Sequence, residues 1–304
     1  MRWYVQGPRQ RRYSDRIATV QRGYSDGIRM TTRSWIAALP MYNVTPALRD
    51  HWRSLVSDAL AFLVESGFTD PVVQPEAISS DLEALWTRDD LLLSQTCGYP
   101  LMRVLPASIG IVATPVFDVP GCDGPRYSSV FVVSEAAYSR GATTISQCRG
   151  LKAAFNDANS NSGMNVFRHA VAPYAHEGRF FGSVVETGSH LASLRALAFG
   201  EADVAAIDCV TFAFAEDIPE IARERVHILG FSEQTPGLPL ICSSAVSDGV
   251  IRQMRAALSR ALDSDPERAR VLRLRSFAHL TRDDYAAIVA LENEAILAGY
   301  PRLA

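Results

Sequence analysis

The sequence predicts an α/β fold divided into two lobes. From Trp35 onward, short apolar runs alternate with amphipathic stretches, and turn or helix-capping residues stand at each junction. This alternation is typical of sheets whose strands are connected by helices. The pattern gives ten strand candidates, more than the roughly five or six strands of an average sheet. We therefore expect two sheets, each mostly parallel and flanked by helices.

The strand candidates are short apolar segments distributed from one end of this region to the other. In chain order they span residues 35–40, 71–74, 91–96, 109–117, 129–133, 152–156, 183–186, 203–207, 226–231 and 238–243. A polar stretch rich in Gly and Pro at residues 120–126 predicts the first crossing between the lobes, and residues 232–239 predict the return. We assign residues 34–122 and 235–304 to lobe 1, and residues 123–234 to an inserted lobe 2, with a ligand cleft between them.

Helices are predicted between the strands and through the C-terminal third. Thr45 and Pro46 suit the N-cap and the first position of a helix that Gly67 ends. Ser80 and Glu83 form a capping box for the next helix. Apolar stripes over residues 251–262 and 285–296 predict two further helices near the C-terminus.

Composition excludes several classes of protein. The chain has 304 residues and a formal charge of −3, and no apolar run approaches the roughly 20 residues that cross a bilayer. Residues 1–33 carry eight Arg and two Asp, a net +6, which leaves −9 for the remainder. The balanced total argues against a dedicated nucleic-acid binder. Residues 1–33 show no export signal, and we expect a disordered or non-native tail there.

The cysteines predict no covalent or metal framework. The five cysteines are odd in number and widely spaced, with no C-x-x-C pair and no histidine at zinc-like spacing. We therefore expect neither a disulfide framework nor a metal site, and we predict no cofactor. Cys97 has two interpretations, a thiol nucleophile at a strand end or a buried, inert residue, and the second is favoured.

Two junctions between a strand and the following helix are the candidate binding elements. Residues 156–163 follow one strand of lobe 2, and residues 187–190 follow the next. Both combine small residues, free N–H groups of a first helical turn and Ser or Thr hydroxyls, which together suit an oxyanion. The alternative is that these residues are ordinary helix N-caps. His190 stands at such a helix start, where its ring can reach the cleft.

Six sequence runs carry a resemblance to a known family. They are residues 39–42 (Leu-Pro-Met-Tyr), 127–130 (Tyr-Ser-Ser-Val), 156–163 (Asn-Asp-Ala-Asn-Ser-Asn-Ser-Gly), 187–190 (Thr-Gly-Ser-His), 202–208 (Ala-Asp-Val-Ala-Ala-Ile-Asp) and 235–239 (Thr-Pro-Gly-Leu-Pro). In this order, over about residues 35–260, the chain resembles the substrate-binding proteins of ABC transporters for phosphonate, phosphite and phosphate.

The resemblance implies a type II periplasmic-binding-protein fold, in which two α/β lobes joined by two crossing strands close on a ligand. It also implies a set of ligand-binding residues. These are Tyr42, Tyr99, Tyr127, Ser160, Asn161, Ser162, Gly163, His190 and Asp208. Two positions depart from the family pattern: Asn161 stands where Thr is common, and Leu238 stands where a binder of aminophosphonates places a second carboxylate.

The leading hypothesis is therefore a non-catalytic protein that binds a small oxyanion and delivers it to an ABC importer. The expected partners are the oxyanion and an ABC permease, with no nucleic acid and no membrane insertion, and the expected state is a monomer. The resemblance implies a periplasmic location, with the cytoplasm as the alternative. An enzyme or a cytosolic ligand sensor on the same fold, similar to thiamine-pyrimidine synthases or menaquinone-pathway lyases, is the alternative function.

Overall fold

Strands observed in the structure match the ten predicted positions, with ends that differ by no more than two residues. The computed structural model describes residues 33–216, 218–221 and 225–304, so the tail predicted at residues 1–33 lies outside the described residues except for Arg33. The strands are β1 (Trp35–Ala38), β2 (Val72–Val73), β3 (Leu91–Gln95), β4 (Gly110–Phe117), β5 (Cys122–Asp123), β6 (Arg126–Tyr127), β7 (Ser129–Ser134), β8 (Lys152–Phe155), β9 (Ser183–Glu186), β10 (Val204–Asp208), β11 (Val226–Phe231), β12 (Thr235–Pro236), β13 (Leu240–Cys242) and β14 (Leu274–Ala278).

The helices begin and end largely where capping residues predict. They are α1 (Pro46–Glu65), α2 (Leu82–Trp86), α3 (Gly98–Arg103), α4 (Glu135–Ser139), α5 (Val166–Val171), α6 (His190–Ala198), α7 (Cys209–Ala215), α8 (Asp248–Asp263), α9 (Pro266–Val271) and α10 (Ala286–Leu297). The Thr45 side chain accepts a hydrogen bond from Leu48 N at the start of α1, which confirms its N-cap role. At α2 the N-cap is Asp81 and not Ser80, because the Asp81 carboxylate accepts from Ala84 N.

Three sheets organise these elements. A six-stranded sheet with the order β14-β4-β13-β3-β1-β2 forms lobe 1, and a five-stranded sheet with the order β11-β7-β10-β8-β9 forms lobe 2. Strands β12, β6 and β5 form a small sheet, which we call the hinge sheet because its segments lie where the chain passes between the lobes. In lobe 1, the buried face of α1, including Trp52 and Leu55, contacts α8. The two lobes and the small connecting sheet agree with the architecture that the resemblance implies.

The two large sheets are mixed, which corrects the expectation that each is mostly parallel. Among the strands of the described residues, only β1 with β2 and β3, and β8 with β9 and β10, pair in parallel. The chain enters lobe 2 along β7 and leaves it along β11, and these two strands lie side by side in opposite directions. The returning strand β13 is likewise antiparallel to its neighbours β3 and β4. The antiparallel pairs of β7 with β11, and of β13 with β3 and β4, therefore follow from inserting one lobe into the other.

The C-terminal region differs from its prediction in two ways. Residues 274–278 form β14, at the edge of the lobe 1 sheet, within the third of the chain expected to be helical. The last residues, assigned by sequence to lobe 1, contact lobe 2: Tyr300 is buried in a cluster with Phe167 and Phe180. The backbone N–H groups of Phe180 and Phe181 donate to Ala304 O at 2.8 and 3.0 Å. Helix α10 contacts α3 of lobe 1 and α5 of lobe 2, so it bridges the lobes.

Candidate functional site

A cavity of about 490 Å³ lies between the lobes, beside the ends of several strands. Both lobes contribute to its wall, and the two predicted binding junctions meet there. The residues on which the argument below depends are Tyr42, Trp86 and Cys97 from lobe 1, and Asn156, Ser160, Ser162, His190 and Asp208 from lobe 2. This position is the usual one for a ligand in a two-lobed α/β protein, where strand ends and helix N-termini converge.

The polar run after β8 folds into a buried π-helical turn, Asn161–Asn165. Ser160 caps this turn, because its Oγ accepts from Gly163 N at 3.0 Å. A side chain at Gly163 would clash with Asn156, because a Cβ built at Gly163 lies 1.8 Å from Asn156 Oδ1. A Cβ at this position would therefore require the Asn156 side chain to move out of its place at the end of β8. Turns of this kind are often found at functional sites.

His190 contributes a neutral ring to the cavity wall. Its Nε2 atom lies 2.8 Å from Ser162 Oγ, so the second binding junction is joined to the first by a hydrogen bond. The Nδ1 atom is shielded from solvent and has no hydrogen-bond partner among the described residues. Burial of the ring lowers the pKa of His190 to about 4, so at neutral pH the imidazole is uncharged. The ring thus offers one unused N–H or lone pair to a ligand.

Asp208 is a buried carboxylate that joins the lobes. It accepts from Val210 N and Thr211 N at the start of α7, at 2.8 and 3.0 Å, and from the hydroxyl of Tyr42 at 3.0 Å. The side chain is 1% exposed, and this burial raises the pKa of Asp208 to about 6 in spite of the three donors. Because Tyr42 belongs to lobe 1 and Asp208 to lobe 2, their hydrogen bond is made across the cleft.

The structure places only part of the predicted residue set on the cavity wall. Five of the nine line it: Tyr42, Ser160, Ser162, His190 and Asp208. Four do not: Tyr99, Tyr127, Asn161 and Gly163. The Tyr99 hydroxyl donates to Glu292 on α10 at 2.6 Å, which holds it away from the cavity. The Asn161 amide donates to Tyr127 and to Thr235 in the hinge sheet, at 3.2 and 2.9 Å. These residues support the wall from behind.

Several wall residues were not in the predicted set. Asn156 lies at the end of β8, and its Oδ1 atom is buried without a partner in the described part of the chain. It belongs to the polar run 156–163, so the sequence contained a signal for it. Cys97 Sγ accepts from Asn161 N at 3.3 Å. Burial raises the pKa of Cys97, which agrees with the inert interpretation and not with a thiolate nucleophile.

The cavity wall holds acidic groups but no basic side chain. Among its lining residues, the ionisable ones besides Cys97, Tyr42 and His190 are Asp81, Glu83, Asp157 and Asp208. An anion bound there must therefore be held by N–H groups, hydroxyls, the His190 ring and amides. Such neutral donors form directional bonds without requiring a buried positive charge. No group of three His, Cys, Asp or Glu in the described residues could hold a metal ion.

Comparison with known proteins identifies the family. Residues 89–285 match the family described as ABC transporter, phosphonate, periplasmic substrate-binding protein. The chain belongs to this family. The family is a substrate-binding component of transporters and not an enzyme, so the match gives no support to the enzyme or sensor alternative. Family members are normally periplasmic. A search of curated proteins finds no significant match.

Solved structures of low identity share the fold. A binding protein component of an ABC phosphonate transporter from Pseudomonas aeruginosa is 19% identical, with a TM-score of 0.69, over 87% of this chain and 88% of that one. PhnD1 from Prochlorococcus marinus, in complex with methylphosphonate, is 14% identical, with a TM-score of 0.69, over 86% and 98%. The alkanesulfonate-binding protein SsuA from Xanthomonas axonopodis pv. citri, bound to MOPS, is 15% identical, with a TM-score of 0.58, over 88% and 93%.

These comparisons confirm the two-lobed type II fold, the binding function and the association with an ABC importer. In the part of the chain that the structure describes, every helix is too short or too polar to cross a bilayer.

Proposed function

We propose that the cavity between the lobes binds the oxyanion group of a phosphonate-type ligand through Ser160, Ser162, His190 and Asn156. The observation that carries this proposal is the convergence of two helix-start junctions on one cavity whose wall contains no basic side chain. The His190 Nδ1 atom is buried there without a partner in the described part of the chain, so an N–H group at this atom would donate to the ligand. The Asn156 side chain would donate through its amide N–H group, whereas its unpartnered Oδ1 atom would accept from a protonated oxygen of the ligand.

The ligand carries an organic substituent in this proposal. The cavity volume of about 490 Å³ falls in the range of roughly 300–1,000 Å³ typical of small-molecule sites, and an inorganic oxyanion would fill little of it. Beyond the polar end, the wall is apolar at Met41, Leu82, Trp86, Pro100 and Val104. Leu238 also lines the cavity, which supports the sequence prediction that the site lacks the second carboxylate of an aminophosphonate binder. An uncharged substituent would contact these apolar side chains.

Closure of lobe 2, residues 123–234, onto lobe 1 would complete the site, and the closed form would engage a permease. The hydrogen bond from Tyr42 to Asp208 and the contact of Asn161 N with Cys97 are made between the lobes, and both support this movement. We further propose that the protein acts as a monomer in the periplasm. Light scattering of the purified protein and fractionation of the native cells test these two points.

Calorimetry with a panel of ligands tests the binding proposal. The panel is phosphate, phosphite, sulfate, methylphosphonate, 2-aminoethylphosphonate and an alkylphosphonate with a longer uncharged chain. We expect heat with the phosphonates and the highest affinity for the longer uncharged one. Absence of heat with all six would refute the oxyanion site, whereas tighter binding of phosphate than of any phosphonate would refute only the organic substituent.

Two alanine variants test the assigned residues. Ser162→Ala and His190→Ala each disrupt the hydrogen-bonded pair of Ser162 and His190, which in its neutral form donates one hydrogen bond to the charged ligand. Each variant should therefore weaken binding by about 1.5–3 kcal/mol, which is roughly tenfold to more than a hundredfold in Kd. Ser146→Ala and His51→Ala are matched controls, because neither residue lines the cavity, and their Kd should equal that of the wild type. Unchanged affinity in both test variants would remove Ser162 and His190 from the site.

A further inference from the structure

Two of the five cysteines lie side by side, although 87 positions separate them in the sequence. The Sγ atoms of Cys122 and Cys209 are 3.6 Å apart, and both are free thiols. Cys122 is partly exposed, whereas Cys209 is buried. The spacing of the cysteines along the chain predicts no such pair, so this contact is a product of the tertiary fold.

Main-chain hydrogen bonds hold the two cysteines in this arrangement. Ser128 N donates to Gly121 O at 2.9 Å, and Cys209 N donates to Ser128 O at 3.2 Å, so residue 209 and the start of β5 are fixed to the same residue. Gly121 has a φ of +94°, and a Cβ built there would lie 3.1 Å from Cys209 Cβ. The missing side chain therefore allows α7 to approach the hinge sheet closely.

We propose that Cys122 and Cys209 form a disulfide bond when the protein is exposed to a disulfide oxidant, as in an oxidising compartment. Bonded sulfur atoms are about 2.05 Å apart, so formation of the bond requires the two thiols to approach by about 1.5 Å. The family to which the chain belongs is normally periplasmic, and disulfide bonds persist in that compartment. The other three cysteines, Cys97, Cys148 and Cys242, are buried.

The chemistry is a two-step thiol–disulfide exchange. The more accessible thiolate of Cys122 attacks a low-molecular-weight or protein disulfide, forms a mixed disulfide and releases one thiol. The Cys209 sulfur then loses its proton as it attacks the Cys122 sulfur of the mixed disulfide, and the second thiol leaves. The two cysteines lose two electrons and two protons in total. The oxidant disulfide gains them and is reduced to two thiols.

The position of the bond relates it to ligand binding. Cys122 lies in the hinge sheet, and Cys209 is the first residue of α7, directly after the cavity residue Asp208. The bond would tie the hinge sheet to the helix that Asp208 caps, and it would close a long loop that includes most of lobe 2. Since such a cross-link restricts the unfolded chain, the oxidised protein should melt at a higher temperature than the reduced one.

Thiol counting after oxidation tests the proposal. The folded protein is incubated with oxidised glutathione, denatured without reductant and titrated for thiols, and disulfide-linked peptides are mapped by mass spectrometry. We expect the count to fall from the five of the sequence to three, because the bond consumes two, with a peptide containing Cys122 linked to one containing Cys209. Cys122→Ser should keep its four remaining thiols, whereas Cys148→Ser, a control outside the pair, should fall from four to two.

Three outcomes overturn the proposal. The wild-type count stays at five, the linked peptides contain another pair, or the product is a stable glutathione adduct on one cysteine. Each of these outcomes can be observed with the wild-type protein alone, so the test remains valid even where a serine variant folds poorly. It is also independent of ligand, so it does not depend on the function proposed for the cavity.

Discussion

Replacing Asp208 by Asn should stabilise the protein at neutral pH and leave it unchanged in acid. The amide of this variant would keep an oxygen for the N–H groups of Val210 and Thr211, but it carries no charge. The folded-state pKa of Asp208 is about 6, against 3.8 for the ordinary side chain, and burial is the main cause. Between these values the folded protein binds a proton that the unfolded chain has lost, so the contribution of Asp208 to stability falls as the pH rises.

The magnitude follows from the difference between the two pKa values of Asp208. A rise from 3.8 to about 6 corresponds to about 3 kcal/mol, which the wild type loses between about pH 4 and pH 7. Burial lowers the pKa of His190 to about 4, and this has the opposite effect on stability, which rises with pH between about 4 and 6.5. His190 is present in both proteins, so its contribution cancels in the difference between variant and wild type.

Urea unfolding followed by tryptophan fluorescence from pH 4 to pH 8 measures this difference. The free energy of unfolding of Asp208→Asn minus that of the wild type should increase with pH by about 3 kcal/mol and level off above pH 7. Asp50→Asn is the matched control, because the Asp50 side chain is 70% exposed and the variant makes the same Asp-to-Asn exchange at the surface. If this difference stays constant or decreases with pH for Asp208→Asn, the claim that burial of the Asp208 charge destabilises the folded protein is refuted.

Three further variants test the packing of the cavity and of the core. Gly163→Ala places a Cβ 1.8 Å from Asn156 Oδ1, so it should lower the free energy of unfolding by about 1–3 kcal/mol and weaken ligand binding in calorimetry; wild-type values for both would contradict the packing argument. Tyr42→Phe removes the hydrogen bond to Asp208 across the cleft and should weaken binding at least severalfold, and an unchanged Kd would mean that this bond does not support closure. Leu258→Ala leaves a cavity at a fully buried position on α8, so it should lower the free energy of unfolding in urea by about 2–5 kcal/mol and leave the Kd for ligand unchanged. A smaller loss of stability would show that the α1–α8 contact repacks.

Local chemistry explains which parts of the fold the sequence predicted. The start of α1 depends on Thr45 and Pro46, two adjacent residues whose capping roles need no distant partner. Strand β14 was missed because its strand character comes from pairing with β4, more than 150 positions earlier, and not from a repeat within its own residues. The contact of the C-terminal residues with lobe 2 was missed for the same reason. Ala304 O accepts hydrogen bonds from Phe180 N and Phe181 N, and no local pattern in the sequence connects these residues.

The candidate site shows the same division. Ser160, Ser162 and His190 stand at helix starts, so the sequence predicted that they would lie at the edge of a sheet near one another. The direction of a tyrosine side chain, in contrast, depends on what it meets. Tyr99 was expected in the cleft. Its hydroxyl instead donates a hydrogen bond to Glu292, 193 positions away, which holds the ring away from the cavity wall. The sequence predicts the backbone position of such a tyrosine, and the tertiary packing determines the position of its ring.

The electrostatics of the cavity connect the charge of the chain to the ligand it is proposed to bind. The part of the chain after residue 33 carries −9, and the cavity wall adds no basic side chain to offset it. Burial favours the uncharged forms of both Asp208 and His190. A bound oxyanion would raise the pKa of each group, because nearby negative charge stabilises its protonated form. Binding of such a ligand is therefore linked to proton uptake, and Asp208 in its protonated form would change from a repelling charge into a hydrogen-bond donor. A carboxyl group at this position is thus compatible with an anionic ligand, although its charge alone would argue against one.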